Sequence, residues 1–367
     1  MKLIVLAGNI QKKLNFLNHA ISSRSQLPIL GNILLETKGD TLILSATDLE
    51  IGIEVSIPAQ VETQGATTVP AKLFTELINS LPEEKISLEV KNEALEISSK
   101  KTKSVLQTQH RDEFPALYEE KGVEVLRLKT DALRANLGMV VFAASIEATR
   151  PALSGVLMRK TPQGFLFVAT DGYRLSLKTN VQTEEASHAF EKEMLVPARV
   201  IREALTLKES GDIGIFVSEH NNQIIFSQDD IILVGRLIEA QFPTYEKLIP
   251  TDISAKATFD REEMLKAVKT CAIFARETAN VIKLSLQKEK VVVTAKTPSL
   301  GENTVEVEAT LTGEENEIAF NARFLLDVLG NIDSSEMSFE MTGPLNPGVF
   351  RIAGDSTFLH LIMPIRT

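Results

Sequence analysis

Two Thr-Asp pairs are the first residues in this 367-residue sequence that could do chemistry. Ala46-Thr47-Asp48 and Ala169-Thr170-Asp171 each end an apolar run, 123 residues apart. Two carboxylates in matched settings could work as general acid and base. The same residues also read as strand-end turns, in which Asp accepts hydrogen bonds from nearby backbone amides. The turn is preferred, because the corresponding stretch Ala295-Lys296-Thr297-Pro298 has no Asp. Other chemistries lack their residues altogether: there is no P-loop, dinucleotide fingerprint, HExxH or CxxC. His19, His110, His188, His220 and His360 are scattered without metal-ligand spacing, so neither a metal nor a cofactor is expected. The single cysteine, Cys271, forms no internal disulfide, fits a reducing compartment, and reads as a small buried apolar residue on a helix. No catalytic residue is assigned, and an enzyme is not expected.

The elements that would position these residues are written three times. Val69-Pro70-Ala71-Lys72-Leu73-Phe74, Val196-Pro197-Ala198-Arg199-Val200-Ile201 and Phe320-Asn321-Ala322-Arg323-Phe324-Leu325 each open an apolar-periodic run. Ala71 to Ala198 is 127 residues and Ala198 to Ala322 is 124, far longer than solenoid repeats of about 20–50 residues. Each copy is therefore long enough to be a small domain with its own core. The Thr-Asp pairs keep this register, and so do Glu113-Phe114-Pro115 and Gln241-Phe242-Pro243, each expected to close a final strand. Boundaries are placed at 1–122, 123–252 and 253–367, with short polar linkers at Tyr118–Gly122 and Ile249–Asp252. Within each copy the rhythm is strand, helix, strands, repeated helix, strands. In the first, Lys2–Leu6 reads as a strand, Lys12–Ser23 as a helix and Ala71–Ser80 as a helix stopped by Pro82. Two helices and seven or eight strands per copy make an α+β fold, helices packed on antiparallel sheets.

Net charge is −10, which argues against broad adhesion to nucleic acid. The expected helices nevertheless sum to roughly +5, leaving roughly −15 on strands and loops. Helices sharing one surface would make it mildly basic, suited to a loosely held phosphate backbone without sequence readout; solvated helix faces are the plainer reading. No apolar run approaches the roughly 20 residues that span a bilayer, and the start, Met1–Ala7, reads as a strand rather than a signal peptide. Lys100, Lys101 and Lys103 surround Val105 in the first copy, whereas Glu302, Glu306 and Glu308 alternate with Val305 and Val307 in the third. Such opposed strands suggest head-to-tail pairing between chains, closing into a ring; charges that merely protect sheet edges are the alternative.

Over its whole length the chain resembles the bacterial DNA polymerase III beta subunit family, the DNA sliding clamps. The resemblance rests on Leu27-Pro28-Ile29-Leu30-Gly31-Asn32, Ala169-Thr170-Asp171-Gly172-Tyr173-Arg174-Leu175, Phe242-Pro243-Thr244-Tyr245 and Leu361-Ile362-Met363-Pro364-Ile365-Arg366, in this order on a threefold repeat. It implies a homodimer of three-domain subunits closed into a six-domain ring that encircles duplex DNA without sequence specificity. Such a ring tethers the polymerase for processive DNA replication and is cytoplasmic, at the nucleoid during replication. The implied partners are the DNA polymerase III alpha subunit, the clamp loader, and other polymerases and repair proteins, bound through short peptides. The implied peptide pocket comprises Leu153, Thr170, Gly172, Tyr173, Arg174 and Leu175 on one side. Pro243, Lys247, Leu248, Asn321, Phe324, Leu361, Met363, Pro364, Ile365 and Arg366 form the other. Leu, Pro and Met would give an adaptable apolar floor, with Arg174, Gly172 and Arg366 as polar rim contacts. Tyr173 stands where other members often have His, and Lys247 where Arg is common, which would retune peptide preference. Arg24, Arg150 and Arg199 match DNA contacts. Lys72, Lys101, Lys103 and Leu106 match one side of the dimer contact, and Ile273, Phe274, Glu302 and Glu306 the other. A monomeric repeat scaffold that binds only proteins is the alternative function.

Overall fold

The computed structural model describes residues 1–22, 27–147, 149–182, 192–207, 210–298 and 301–366. Its α-helices among these residues are α1 (Ala7–Leu17), α2 (Ala71–Ser80), α3 (Thr130–Val141), α4 (Ala198–Ala204), α5 (Arg261–Ala275) and α6 (Ala322–Asn331). The repeated segment opens α2, α4 and α6. Each buries the same stripe: Ala71, Phe74 and Ile78 in α2, Ala198, Ile201 and Ala204 in α4, Ala322, Leu325, Val328 and Leu329 in α6. This is the i, i+3, i+4 spacing that puts apolar residues on one helix face. Pro70 stands at the N-cap of α2 without a side-chain bond, whereas Asn321 caps α6 by accepting from the Arg323 amide at 3.0 Å.

The described residues fall into two compact units, 1–130 with 202–237, and 131–182 with 192–201 and 238–366. In the first unit a five-stranded sheet runs in the order Gln60–Thr63, Lys2–Leu6, Lys85–Lys91, Ala94–Ser98, Lys103–Gln107. An eight-stranded sheet runs Val123–Lys129, Asp212–Ser218, Gln223–Gln228, Ile231–Arg236, Ile51–Pro58, Thr41–Thr47, Asn32–Thr37, Ala66–Pro70. Strands of the first and second copies join in it, Ile231–Gly235 pairing antiparallel with Ile51–Val55. The second unit repeats this device. Its twelve-stranded sheet joins the second copy to the third where Arg174–Lys178 pairs with Phe358–Ile362. The third copy's core packs α5 and α6 on this sheet around Phe320, Phe339 and Phe350, whose ring centroids lie 4.8–6.3 Å apart. Cys271 is buried on α5 as expected, and burial pushes its thiol up to about 11.

Two expectations shift. The first helix begins at Ala7 rather than Lys12, and Asn18–Ala20 is a separate 3-10 turn. Strand Lys2–Leu6 runs straight into α1 with no side-chain cap, so nothing in the sequence marks the start. Phe114 and Phe242 do not close strands either. Phe114 lies beyond a 3-10 turn, Arg111–Glu113, and packs with Ile29, Leu30 and Leu34. Phe242 packs on a leucine cluster described below.

Candidate functional site

The Thr-Asp pairs are turns. Asp48 Oδ1 accepts from the amides of Glu50 and Ile51 at 3.0 and 2.8 Å, and Asp171 Oδ1 from those of Tyr173 and Arg174 at 2.9 and 3.0 Å. Thr170 completes the second turn: its Oγ1 donates to the Arg174 carbonyl at 2.6 Å and accepts from the Gly172 amide at 3.0 Å. A carboxylate committed to two amides and to an arginine is a structural brace rather than a proton shuttle.

From this turn a site can be built upward. Strand Arg174–Val181 alternates its side chains. Leu175 and Leu177 go to one face with Leu359 and Leu361 of the paired strand, into a cluster with Leu157, Leu166, Leu195 and Tyr245. Phe242 and Met363 pack on the same cluster, half-buried. The Met363 amide donates to the Tyr173 carbonyl at 2.8 Å, and the Ile365 amide to the Ala319 carbonyl at 2.8 Å, so the last residues are laced to both the turn and the strand before α6. Pro243, Lys247, Leu248, Tyr173, Gly172 and Arg366 are exposed, while Leu153, Asn321, Phe324, Pro364 and Ile365 are half-buried. Tyr173 and Leu248 are 60% and 40% exposed, large apolar surfaces left open at a site whose floor is leucine and methionine. A Cβ on Gly172 would lie 3.9 Å from Leu153 and 3.8 Å from Arg150 Nη1, so Arg150, matched to DNA contacts, sits at the lip of this site.

Arg174 is not the rim donor expected of it. It is only 9% exposed, and its guanidinium is engaged on several sides. Nε donates to Asp171 Oδ2 at 3.1 Å, Nη1 to Asp327 Oδ2 at 2.5 Å, and Nη2 to the Phe142 carbonyl at 2.9 Å. The Phe324 and Phe142 rings lie 4.7 and 5.7 Å from it. Sequence reasoning missed Asp327, although it lies three residues after Phe324 and so on the same helix face. Below Arg174 on that strand face, Ser176 Oγ meets His360 Nδ1 at 2.6 Å. Burial, with the Arg174 charge, holds this imidazole well below its usual range.

The remaining expected residues lie elsewhere. Arg199 is exposed in the first turn of α4, and Arg24 lies outside the described residues. Lys72, Lys101 and Lys103 are exposed and Leu106 buried, with Lys103–Gln107 at the edge of the five-stranded sheet. In the second unit, residues 301–308 pair with 290–297 on one side, while 309–313 pair with 255–259 on the other. Strand edge is thus left open along Glu302 and Glu306; on α5, Ile273 is exposed and Phe274 half-buried. Lys103 pairs with Glu96, Glu302 with Lys296, and Glu306 with Lys290, at 2.6–3.0 Å.

Comparison with known proteins matches three family models in chain order, the N-terminal, central and C-terminal domains of the DNA polymerase III beta subunit, at residues 1–118, 127–244 and 246–366. A beta sliding clamp from Synechococcus elongatus is 32% identical across all of this chain and 99% of its own length. The chain belongs to the DNA polymerase III beta subunit family. A Staphylococcus aureus beta sliding clamp is 29% identical over 97% of this chain and 96% of its own length. The crystal structure of the Bacillus subtilis DNA polymerase sliding clamp superposes with a TM-score of 0.95 at 27% identity, covering 100% of this chain and 99% of that one. That of the Thermotoga maritima beta subunit gives 0.89 at 27% identity, again covering 100% and 99%. Membership in the sliding-clamp family assigns the function: a DNA sliding clamp, a non-catalytic processivity subunit of DNA polymerase III. None of the described helices is long and apolar enough to cross a membrane.

Proposed function

We propose that two copies of this chain join head to tail into a ring of six domains, with boundaries near 122 and 252, that encircles duplex DNA. Arg24, Arg150 and Arg199 contact the phosphates loosely enough to slide. The site built from the Thr170–Leu175 turn, Pro243–Leu248, α6 and Leu361–Arg366 takes short peptides from the DNA polymerase III alpha subunit, the clamp loader, and other polymerases and repair proteins. One observation carries the peptide assignment. Leu175, Leu361 and Met363 share a cluster with Tyr245 and Phe242, while Tyr173 and Leu248 stay exposed above it. An apolar floor with an open apolar lip suits a peptide's hydrophobic anchors, and Met adapts to differing ones.

Deletion of residues 363–367 is expected to abolish binding of a polymerase-derived peptide, measured by fluorescence anisotropy, while the dimer persists in sedimentation. Normal peptide affinity in the truncated chain would refute the pocket. Encirclement has its own test: after clamp-loader treatment the chain should remain on circular DNA and leave once the circle is cut. Immediate loss from intact circles would sink the ring.

A further inference from the structure

We infer that Asp327 of α6 is a positioning residue for the peptide site, acting through Arg174; this rests on the pocket proposed above. The Arg174 guanidinium has three polar partners. Asp171, at 3.1 Å, belongs to the same turn, and the Phe142 carbonyl, at 2.9 Å, follows α3 directly. Only Asp327, at 2.5 Å, comes from α6, and it is 153 residues away in sequence. Of these bonds, the Asp327 bond is therefore the one that docks the turn against α6. Phe324, one turn earlier on the helix, adds its ring face 4.7 Å from the same guanidinium.

The turn carries the exposed part of the site. Gly172 and Tyr173 are at its tip, and the Tyr173 carbonyl holds the Met363 amide at 2.8 Å. A continuous chain of contacts thus runs from Asp327 through Arg174 and the turn to Met363. Removing the Asp327 carboxylate leaves the nearly buried guanidinium with Asp171 as its remaining carboxylate partner and with Nη1 without the acceptor it had on α6. Arg174 then turns toward solvent, and the tip and Met363 lose their fixed spacing from α6. Asp327 is itself partly exposed, with 42% of its side-chain surface open, so its replacement does not dismantle a core.

The test uses the full chain and a fluorescein-labelled peptide carrying the clamp-binding segment of the polymerase alpha subunit. Asp327→Ala and Asp327→Asn should each weaken binding by about tenfold, and Asp327→Glu should restore most of it. In an Arg174→Ala background, Asp327→Ala should change affinity by less than about twofold, because its effect passes through Arg174. A general structural defect would not show that dependence. Parent-like affinity in Asp327→Ala, or full additivity in the double variant, overturns the inference. Met363→Ala separates the two levels. If it loses binding while Asp327→Ala does not, the pocket stands and only the role of Asp327 falls. If both bind as the parent does, the pocket reading falls as well.

Discussion

Gly172 and Leu49 occupy the same place in two copies of one turn. The Leu49 amide donates to Thr47 Oγ1 at 3.0 Å, as the Gly172 amide does to Thr170 Oγ1. Both residues adopt positive φ, +74° at Leu49 and +91° at Gly172. A leucine in that region is strained by about 1–3 kcal/mol, yet the first copy holds one. In the second copy the absent side chain leaves open space beside Leu153 and Arg150. Gly172→Leu should therefore fold, with a loss of about 1–3 kcal/mol in urea denaturation, and still form dimers. Its leucine would occupy the lip of the pocket, so peptide affinity should fall more than tenfold. A variant binding peptide as tightly as the parent would show that Gly172 is off the peptide's path.

At the level of elements, the paired strands Arg174–Val181 and Asp355–Ile362 show how one β-ladder serves two purposes. One face supplies leucines to the cluster proposed as the pocket floor; the other buries Ser176, His360 and Arg174. His360 is fully buried, its Nε2 finds no hydrogen-bond partner among the described residues, and its pKa is depressed by burial and by Arg174. In the unfolded chain the same imidazole takes up a proton near pH 6.5. Because the unfolded state then binds more protons, stability is lost as pH falls from about 6.5 toward the depressed folded value, by up to about 1.4 kcal/mol per unit. Urea midpoints at pH 7.5, 6.5 and 5.5 should show this decline, and His360→Gln should flatten it; an unaltered slope in the variant would exclude His360 as the source. The strand beside this ladder, Gly164–Thr170, was legible in the sequence as a continuous apolar run ended by a Thr-Asp turn. The four-residue strands Gln60–Thr63 and Met194–Pro197 were not, being too short for a period to emerge. The role of Arg174 was equally hidden. A charged residue after a turn reads as solvent-exposed, and only the fold supplies a counter-charge 153 residues away.

For the whole molecule the decisive question is how one copy meets another. Among the open strand edges of the described residues, two carry opposed charge: Lys103–Gln107, which pairs with Ala94–Ser98, and residues 301–308, which pair with 290–297. An open edge is a row of unmet amides and carbonyls, a template for joining another strand. The first bears Lys103 with Lys101 beside it, the second Glu302, Glu306 and Glu308, all exposed. Lys103, Glu302 and Glu306 already have intrachain partners, Glu96, Lys296 and Lys290, so joining the edges would extend these pairs into a network rather than bury lone ions. Pairing of this kind sets register and partner choice more than raw affinity. Under the proposed head-to-tail dimer, Lys103→Glu and Glu306→Lys should each raise the dimer dissociation constant by about tenfold in sedimentation equilibrium. Mixing the two single variants should favour a heterodimer, which has one parental and one charge-swapped junction, whereas each single-variant homodimer has two like-charge junctions. Raising ionic strength from 0.05 to 0.5 M, roughly threefold in screening length, should weaken the parent dimer and shrink the penalty in both variants. If the dimer is indifferent to both substitutions and to salt, these edges do not meet, and the second copy must be joined through another surface.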